Sequence, residues 1–372
     1  SRGYAPSSKR KPKSIMITNR PSLILQTVAF DDTDEVAARK LGAQLYDLLT
    51  RPVAEPLSYG PGIPVYRAVR PEFVDPKAAE QVIIIPVLGK VTHSTKRDEV
   101  LEKLGTWHRQ LGPGHVLPVP VSPDWRAEED ILPGKNLLTQ LYGERDRQMR
   151  TIDEIVIAAL QLFDSSGRST RIFISHAKAD LAATRNAAEA IRDYVATDST
   201  ANTFFDVNDL SAGQPLGDKI DQALLGGVFV ALRTDRYSSR DWCLRELLVA
   251  KKNRLPTLTV ELLNQGEARS FPYAGNSPTL VWRDDPQPVV SRALVECLRA
   301  AHFQAESKRI VESTGLPTDT IALSRPPELL DMAQGTVRSD GIGVVIHPDP
   351  ELPPKHRELL AMAHPRLKLV TP

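Results

Sequence analysis

Two apolar runs constrain the fold of this chain most. They are Val82-Ile-Ile-Ile-Pro-Val-Leu88 and Val228-Phe-Val-Ala-Leu232. A strand with one wet face alternates polar and apolar residues, whereas an unbroken run belongs to a strand covered on both faces, as in a parallel sheet. Strand patterns at 23–29, 63–69 and 116–121 accompany the first run, and 171–175, 203–206, 256–261 and 279–282 accompany the second. Helical patterns separate them, at 33–49, 96–111 and 136–163, then at 178–195, 216–225, 240–253 and 286–302. This alternation argues for two successive α/β units, each an open parallel sheet with helices on its faces. The units run in parallel: strand 82–88 sits where 228–232 sits, and helix 33–49 where 178–195 sits. Two readings of the first unit stand open, an internal duplication and an unrelated flavodoxin-like domain. Different strand orders in the two halves would end the first.

A chain of 372 residues has room for two or three domains. Residues 1–14 are polar and basic and read as a disordered tail, not a secretory signal. Residues 15–165 form the first α/β domain, Asp164 to Thr170 reads as a linker, and 169–304 form the second domain. Residues 305–372 read as a strand–helix–strand extension, and its final strand ending at Thr371-Pro372 suggests truncation of a longer chain. The net charge of +1 gives no electrostatic footprint for nucleic acid or a membrane surface. No apolar run approaches the roughly 20 residues that span a bilayer. The two cysteines, Cys243 and Cys297, form neither a disulfide framework nor a metal spacing, which fits the cytoplasm. No zinc, calcium or phosphate-loop pattern occurs, so no metal and no cofactor are expected.

Tyr237 to Lys251 follows the second run and reads as a helix. Ser238, Ser239 and Asp241 are its cap candidates, and Leu244, Leu247 and Leu248 are expected to face the core. Trp242 and Glu246 are four apart and share one face, with Cβ atoms roughly 6 Å apart. Such a helix starts just beyond the C-terminal end of a strand, where open α/β sheets bind ligands. Upstream lie Phe173-Ile-Ser-His176 and Phe205-Asp-x-x-x-Leu210-x-x-Gly213. These three blocks, in this order, resemble a Toll/interleukin-1 receptor (TIR) domain of the NAD-cleaving subgroup. The resemblance covers about 169–304 and implies a flavodoxin-like sheet of five parallel strands. On the duplication reading, the first unit would be a TIR-like domain without the active-site pair; on either reading Trp107 belongs to its core.

The resemblance implies that NAD+ is substrate and that its nicotinamide–ribose bond is cleaved. Nicotinamide leaves as a neutral molecule, so one carboxylate that stabilises the ribosyl cation suffices where a glycosidase needs two. Glu246 is that carboxylate by family match. Trp242 would stack on a flat ring of the dinucleotide. His176 and Lys178 follow the first strand at the pocket, Lys178 suiting the pyrophosphate. Asp206 would orient the ribose or cap its own loop, and Ser211 and Gly213 would lie near the substrate. Family members often carry a carboxylate where Ser211 stands. The loop 207–217 is implied to meet a neighbouring protomer, giving an assembly-dependent enzyme of bacterial antiviral defence, triggered by an unseen sensor, partner or second messenger. A cyclase and a non-enzymatic adaptor are the alternatives.

Overall fold

A computed structural model describes residues 20–50, 62–126, 145–163, 171–177, 181–198, 204–206, 227–333, 343–348 and 351–372. The first unit contains β1 (Leu23–Ala29), α1 (Asp32–Leu49), β2 (Val65–Val69), β3 (Gln81–Leu88), α2 (Lys90–Leu111), β4 (Val119–Pro120), α3 (Pro123–Arg126) and α4 (Arg145–Phe163). The second contains β5 (Arg171–His176), α5 (Leu181–Asp198), β6 (Phe204–Asp206), β7 (Gly227–Arg233), α6 (Asp241–Lys252), β8 (Thr257–Glu261), β9 (Thr279–Val281) and α7 (Gln287–Thr314). Last come β10 (Ile321–Ala322), α8 (Leu329–Ala333), β11 (Gly343–Ile346), α9 (Pro354–Ala363) and β12 (Leu367–Val370).

Each group of strands forms its own sheet, in the orders β2-β1-β3-β4, β6-β5-β7-β8-β9 and β10-β11-β12, with every pairing parallel. The first four strands of the second unit thus repeat the order of the first. The difference that would end the duplication reading is absent, although flavodoxin-like folds share this order generally. The tail adds a third parallel sheet, larger than the strand–helix–strand piece expected.

The two apolar runs, β3 and β7, are central strands. β3 pairs with β1 from Leu23 against Gln81 to Ala29 against Val87, and β7 pairs with β5 from Arg171 against Gly227 to His176 against Leu232. A Cβ on Gly227 would stand 2.5 Å from the Arg171 carbonyl oxygen, so only glycine fits that start of the strand. β4 is shorter than the pattern 116–121, because Pro118 and Pro120 have no N–H to give. Leu117 and Val121 still donate to Ile84 and Leu88.

α1 begins with Asp31 as its N-cap, whose carboxylate accepts from the Thr33 and Asp34 amides. Its buried face is Asp34, Ala38, Gly42, Leu45 and Leu49, while Val36, although apolar, is 75% exposed. The spacing of three and four between those buried positions leaves Val36 on the opposite side. Trp107 is buried, as expected, 6.1 Å from the ring of Phe30.

α7, 28 residues, is the longest helix among the described residues and extends well beyond the expected 286–302. At 1.5 Å per residue it is about 42 Å long, enough to reach both larger sheets. One buried cluster runs through Leu25, Leu45, Ile155, Ile172, Val230, Val290 and Leu298, so the two units share a core. Polar contacts reinforce the junction. Arg299 donates to the Leu48 carbonyl at 2.7 Å, the Ser22 amide donates to Glu306, and Arg309 pairs with Glu80 at 3.3 Å.

Asp153 lies buried on α4 in this junction. Burial pushes its carboxyl up to about 7, against a weak opposing contact with Ser291 and reinforced by the charge of Glu154. A carboxyl raised in the folded state favours folding when protonated, so its stabilisation declines as pH rises from its unfolded value near 4 towards 7. Asp153→Asn is therefore expected to be more stable than wild type above pH 7, by on the order of 2 kcal/mol, and no more stable near pH 4. Urea denaturation at both pH values checks this; a constant difference would contradict it.

Candidate active site

The second sheet carries its polar residues at the C-terminal ends of β5 and β7. β5 ends in Ser175-His176. β7 ends at Arg233 and is followed by a 3-10 turn at Tyr237–Ser239, then α6. Tyr237 is buried and packs with Phe173, Phe229, Cys243 and Leu247. The buried face of α6 is Cys243, Glu246, Leu247, Ala250 and Lys251. Leu244 and Leu248 are only half-buried, so the helix is rotated from the expected leucine face. The rotation puts a carboxylate on the inside.

Glu246 is 2% exposed. Its Oε2 accepts from Ser175 Oγ at 2.6 Å, and Ser175 Oγ lies 2.9 Å from the Tyr237 hydroxyl. One hydroxyl hydrogen cannot serve both contacts. With Ser175 donating to the carboxylate, Tyr237 donates to Ser175, giving the ordered chain Tyr237→Ser175→Glu246. Burial, only partly offset by the Ser175 contact, pushes the Tyr237 phenol well above its ordinary value. It stays a neutral donor. Burial and the neighbouring Glu246 charge likewise push the Cys243 thiol up to about 12.

The turn that holds Tyr237 is clamped from outside. Glu267 accepts from Arg233 Nη2 at 2.6 Å and from Ser238 Oγ at 2.6 Å. Burial alone raises the Glu267 carboxyl, but the bonds from Arg233 and Ser238 outweigh it and leave it below the ordinary range. Asp235 accepts from the amides of Asn264, Gln265 and Gly266, each at 3.0 Å, and so pins the same loop. Ser238 is therefore committed to Glu267, and Ser239 donates to the Arg236 carbonyl. Neither caps α6, nor does Asp241: the N-cap is Arg240, with no side-chain cap bond. The clamp takes over the role expected of a cap.

Trp242 is 43% exposed, so it and Glu246 differ in depth although they are one helical turn apart. The Arg245 guanidinium sits 5.9 Å from the centre of its ring. His176 is half-buried at the end of β5, beside Leu232 of β7. Asp206 ends β6, its backbone paired with Ile174. Lys178, Ser211 and Gly213, with the 207–217 loop, lie outside the described residues. The structure thus brings Glu246, Trp242, His176 and the backbone of Asp206 to one rim. Ser175, Tyr237 and Glu267 join them without having been singled out in the sequence. The signal for Ser175 was its place in Phe-Ile-Ser-His, a lone hydroxyl at the end of an apolar strand. Among the described residues no cluster of His, Cys, Asp and Glu fits a metal ion, and no helix is long and apolar enough to cross a membrane.

Tyr237→Phe deletes one buried hydrogen bond and is expected to destabilise the fold by about 1 kcal/mol. Thermal or urea unfolding measures it, and an unchanged midpoint would contradict the ordered chain. Cys243, a buried and protonated thiol, is expected to resist iodoacetamide at pH 8 until the protein is denatured. Mass spectrometry of native and denatured samples reads this, and rapid native labelling would contradict the packing.

The sequence model of the TIR domain family matches residues 172–284. No curated protein matches the chain. Among solved structures, the chain is similar to tagatose-6-phosphate ketose/aldose isomerase from Escherichia coli, at 9% identity over 76% of this chain and 82% of that one. The TM-score is 0.22, too slight a likeness to carry an argument. The matched span covers β5 to β9 with the Ser175–Glu246 contact inside it, and residues 172–284 of this chain are a TIR domain.

Proposed function

We propose that this chain is an NAD+ glycohydrolase and that Glu246 is its catalytic carboxylate. The observation that carries the reading is a glutamate held by a serine beneath an exposed tryptophan at the C-terminal rim of a parallel sheet. Substrate would enter beside Trp242, whose open ring offers a stacking surface for a nicotinamide or adenine plane. As the N-glycosidic bond breaks, its electron pair leaves with neutral nicotinamide and positive charge develops on the ribose. A fixed carboxylate in a water-poor site stabilises that charge and needs no reorganisation. Ser175 prevents Glu246 from swinging away, and Tyr237 fixes the serine proton. Water then attacks the anomeric carbon, giving ADP-ribose and a proton. Attack by an adenine nitrogen instead would give a cyclic product. The same site serves both outcomes.

The defence role, self-association through the 207–217 loop and a cytoplasmic setting belong to this proposal. They follow from the family resemblance. His176, Lys178, Asp206, Ser211 and Gly213 are proposed substrate contacts on the same ground. A second reading has an observation of its own. The depth of Glu246 also suits a structural carboxylate in a non-enzymatic assembly module. Turnover separates the two. Glu246→Gln keeps size and hydrogen bonding but removes the charge, and is expected to lower nicotinamide release by on the order of a hundredfold or more while thermal stability is retained. Chromatography of NAD+ incubations at several protein concentrations measures this. Turnover unchanged in the variant, or absent from wild type at every concentration, would favour the structural carboxylate.

A further inference from the structure

The opposite end of α6 borders a second cavity. α6 ends in a Schellman motif, with the Leu255 amide bonded to the Ala250 carbonyl and the Arg254 amide to the Lys251 carbonyl, each at 3.0 Å. Arg254 occupies the left-handed position of that motif, at φ 58°. Glycine is the residue this position favours, and an arginine there is strained. Local folding does not account for it. Its side chain lines a cavity of about 360 Å³ between the TIR domain and the third sheet. That volume is at the low end of small-molecule sites, which run roughly 300–1,000 Å³.

The lining has a consistent chemistry. Lys308 of α7 adds a second cation, and neither Lys308 nor Arg254 has an ion-pair partner among the described residues. Asp319 is the one carboxylate among the lining residues and has a partner of its own. Thr318 supplies a hydroxyl from the segment before β10, and Thr320 Oγ1, which donates to the Pro317 carbonyl at 2.6 Å, can still accept. Ser307 is 1% exposed, and its Oγ has no hydrogen-bond partner although it lines the cavity. A buried hydroxyl without a partner is uncommon and points to a ligand that supplies one. No aromatic side chain lines the cavity, so it offers no stacking plane for a base. Two cations from separate elements suit a phosphate, and the hydroxyls suit a polyol.

We propose that this cavity is a binding site for a small phosphorylated sugar, with Arg254 and Lys308 on the phosphate and Ser307 on a sugar hydroxyl. The site does not rest on the NAD+ reading. It lies at the far end of α6, about 18 Å along a helix of 12 residues from the Trp242 end. Lys251, three residues before Arg254, anchors the same junction by donating to the Gly275 carbonyl at 2.6 Å and to Glu328 at 3.0 Å.

Titration calorimetry of the full chain with ribose 5-phosphate and with inorganic phosphate tests the proposal. Ribose 5-phosphate is expected to bind at least tenfold more tightly than phosphate. Arg254→Gly and Lys308→Gln are each expected to weaken it tenfold or more, whereas Lys252→Gln, an exposed neighbour outside the cavity, leaves it unchanged. Arg254→Gly relieves the strained position, so its unliganded melting temperature should equal or exceed wild type. Absence of ribose 5-phosphate binding, equal affinity for phosphate alone, wild-type affinity in either cavity variant, or equal weakening by Lys252→Gln would each overturn it.

Discussion

A carboxylate buried among apolar side chains costs several kcal/mol unless its oxygens are hydrogen-bonded. Glu246 is in that position, and much of the TIR domain's polar architecture answers it. Ser175 donates to it, Tyr237 donates to Ser175, and the turn that carries Tyr237 is clamped through Arg233, Ser238 and Glu267. These residues come from β5, the end of β7 and the turn after it, and the loop after β8. The parallel pairing of β5 with β7 brings the first two together, because both strands end on the same rim. The site therefore depends on the register of two central strands more than on the sequence of any one loop.

The same helix borders both candidate sites. Its N-terminal half carries Trp242 and Glu246, and its C-terminal half carries Lys251 and leads into Arg254. Lys251 is buried, which lowers its ammonium from the ordinary lysine range, while Glu328 opposes that shift. Glu328 in turn belongs to a cluster with Arg325 and Asp331, whose bidentate pair closes at 2.7 and 2.8 Å. The C-terminal sheet is thus tied to the helix that presents the candidate catalytic residue. α7 ties the first unit to the same body through a continuous apolar core. Buried ion pairs of this kind define geometry more than they add stability.

Much of the fold was legible in the sequence because unbroken apolar runs and helical spacing report burial directly. β1, β3, β7 and α1 fall within a residue or two of their expected bounds. What the pattern could not carry was rotation and extent. Leu244 and Leu248 read as core, yet the buried stripe of α6 is Cys243, Glu246, Leu247 and Ala250, because a glutamate scores as polar wherever it points. α7 runs three turns past its expected end, since Gln304 to Thr314 packs against the tail and not only the sheet. In the site, Glu246 and Trp242 stood out through family resemblance. Ser175 and Tyr237 did not, because a hydroxyl gains its role only from a partner 62 to 71 residues away.

In the proposed reaction Ser175 positions Glu246 for catalysis and does more than satisfy a buried carboxylate. Steady-state nicotinamide release by Ser175→Ala, with Ser175→Thr beside it, tests this most directly. Alanine is expected to lower kcat by about 10- to 100-fold with little change in KM, since misplacing a catalytic group costs the transition state and not ground-state binding. Threonine, which keeps the hydroxyl, should recover most of the rate. Wild-type kcat in Ser175→Ala, in a protein that remains folded, would contradict a positioning role for Ser175.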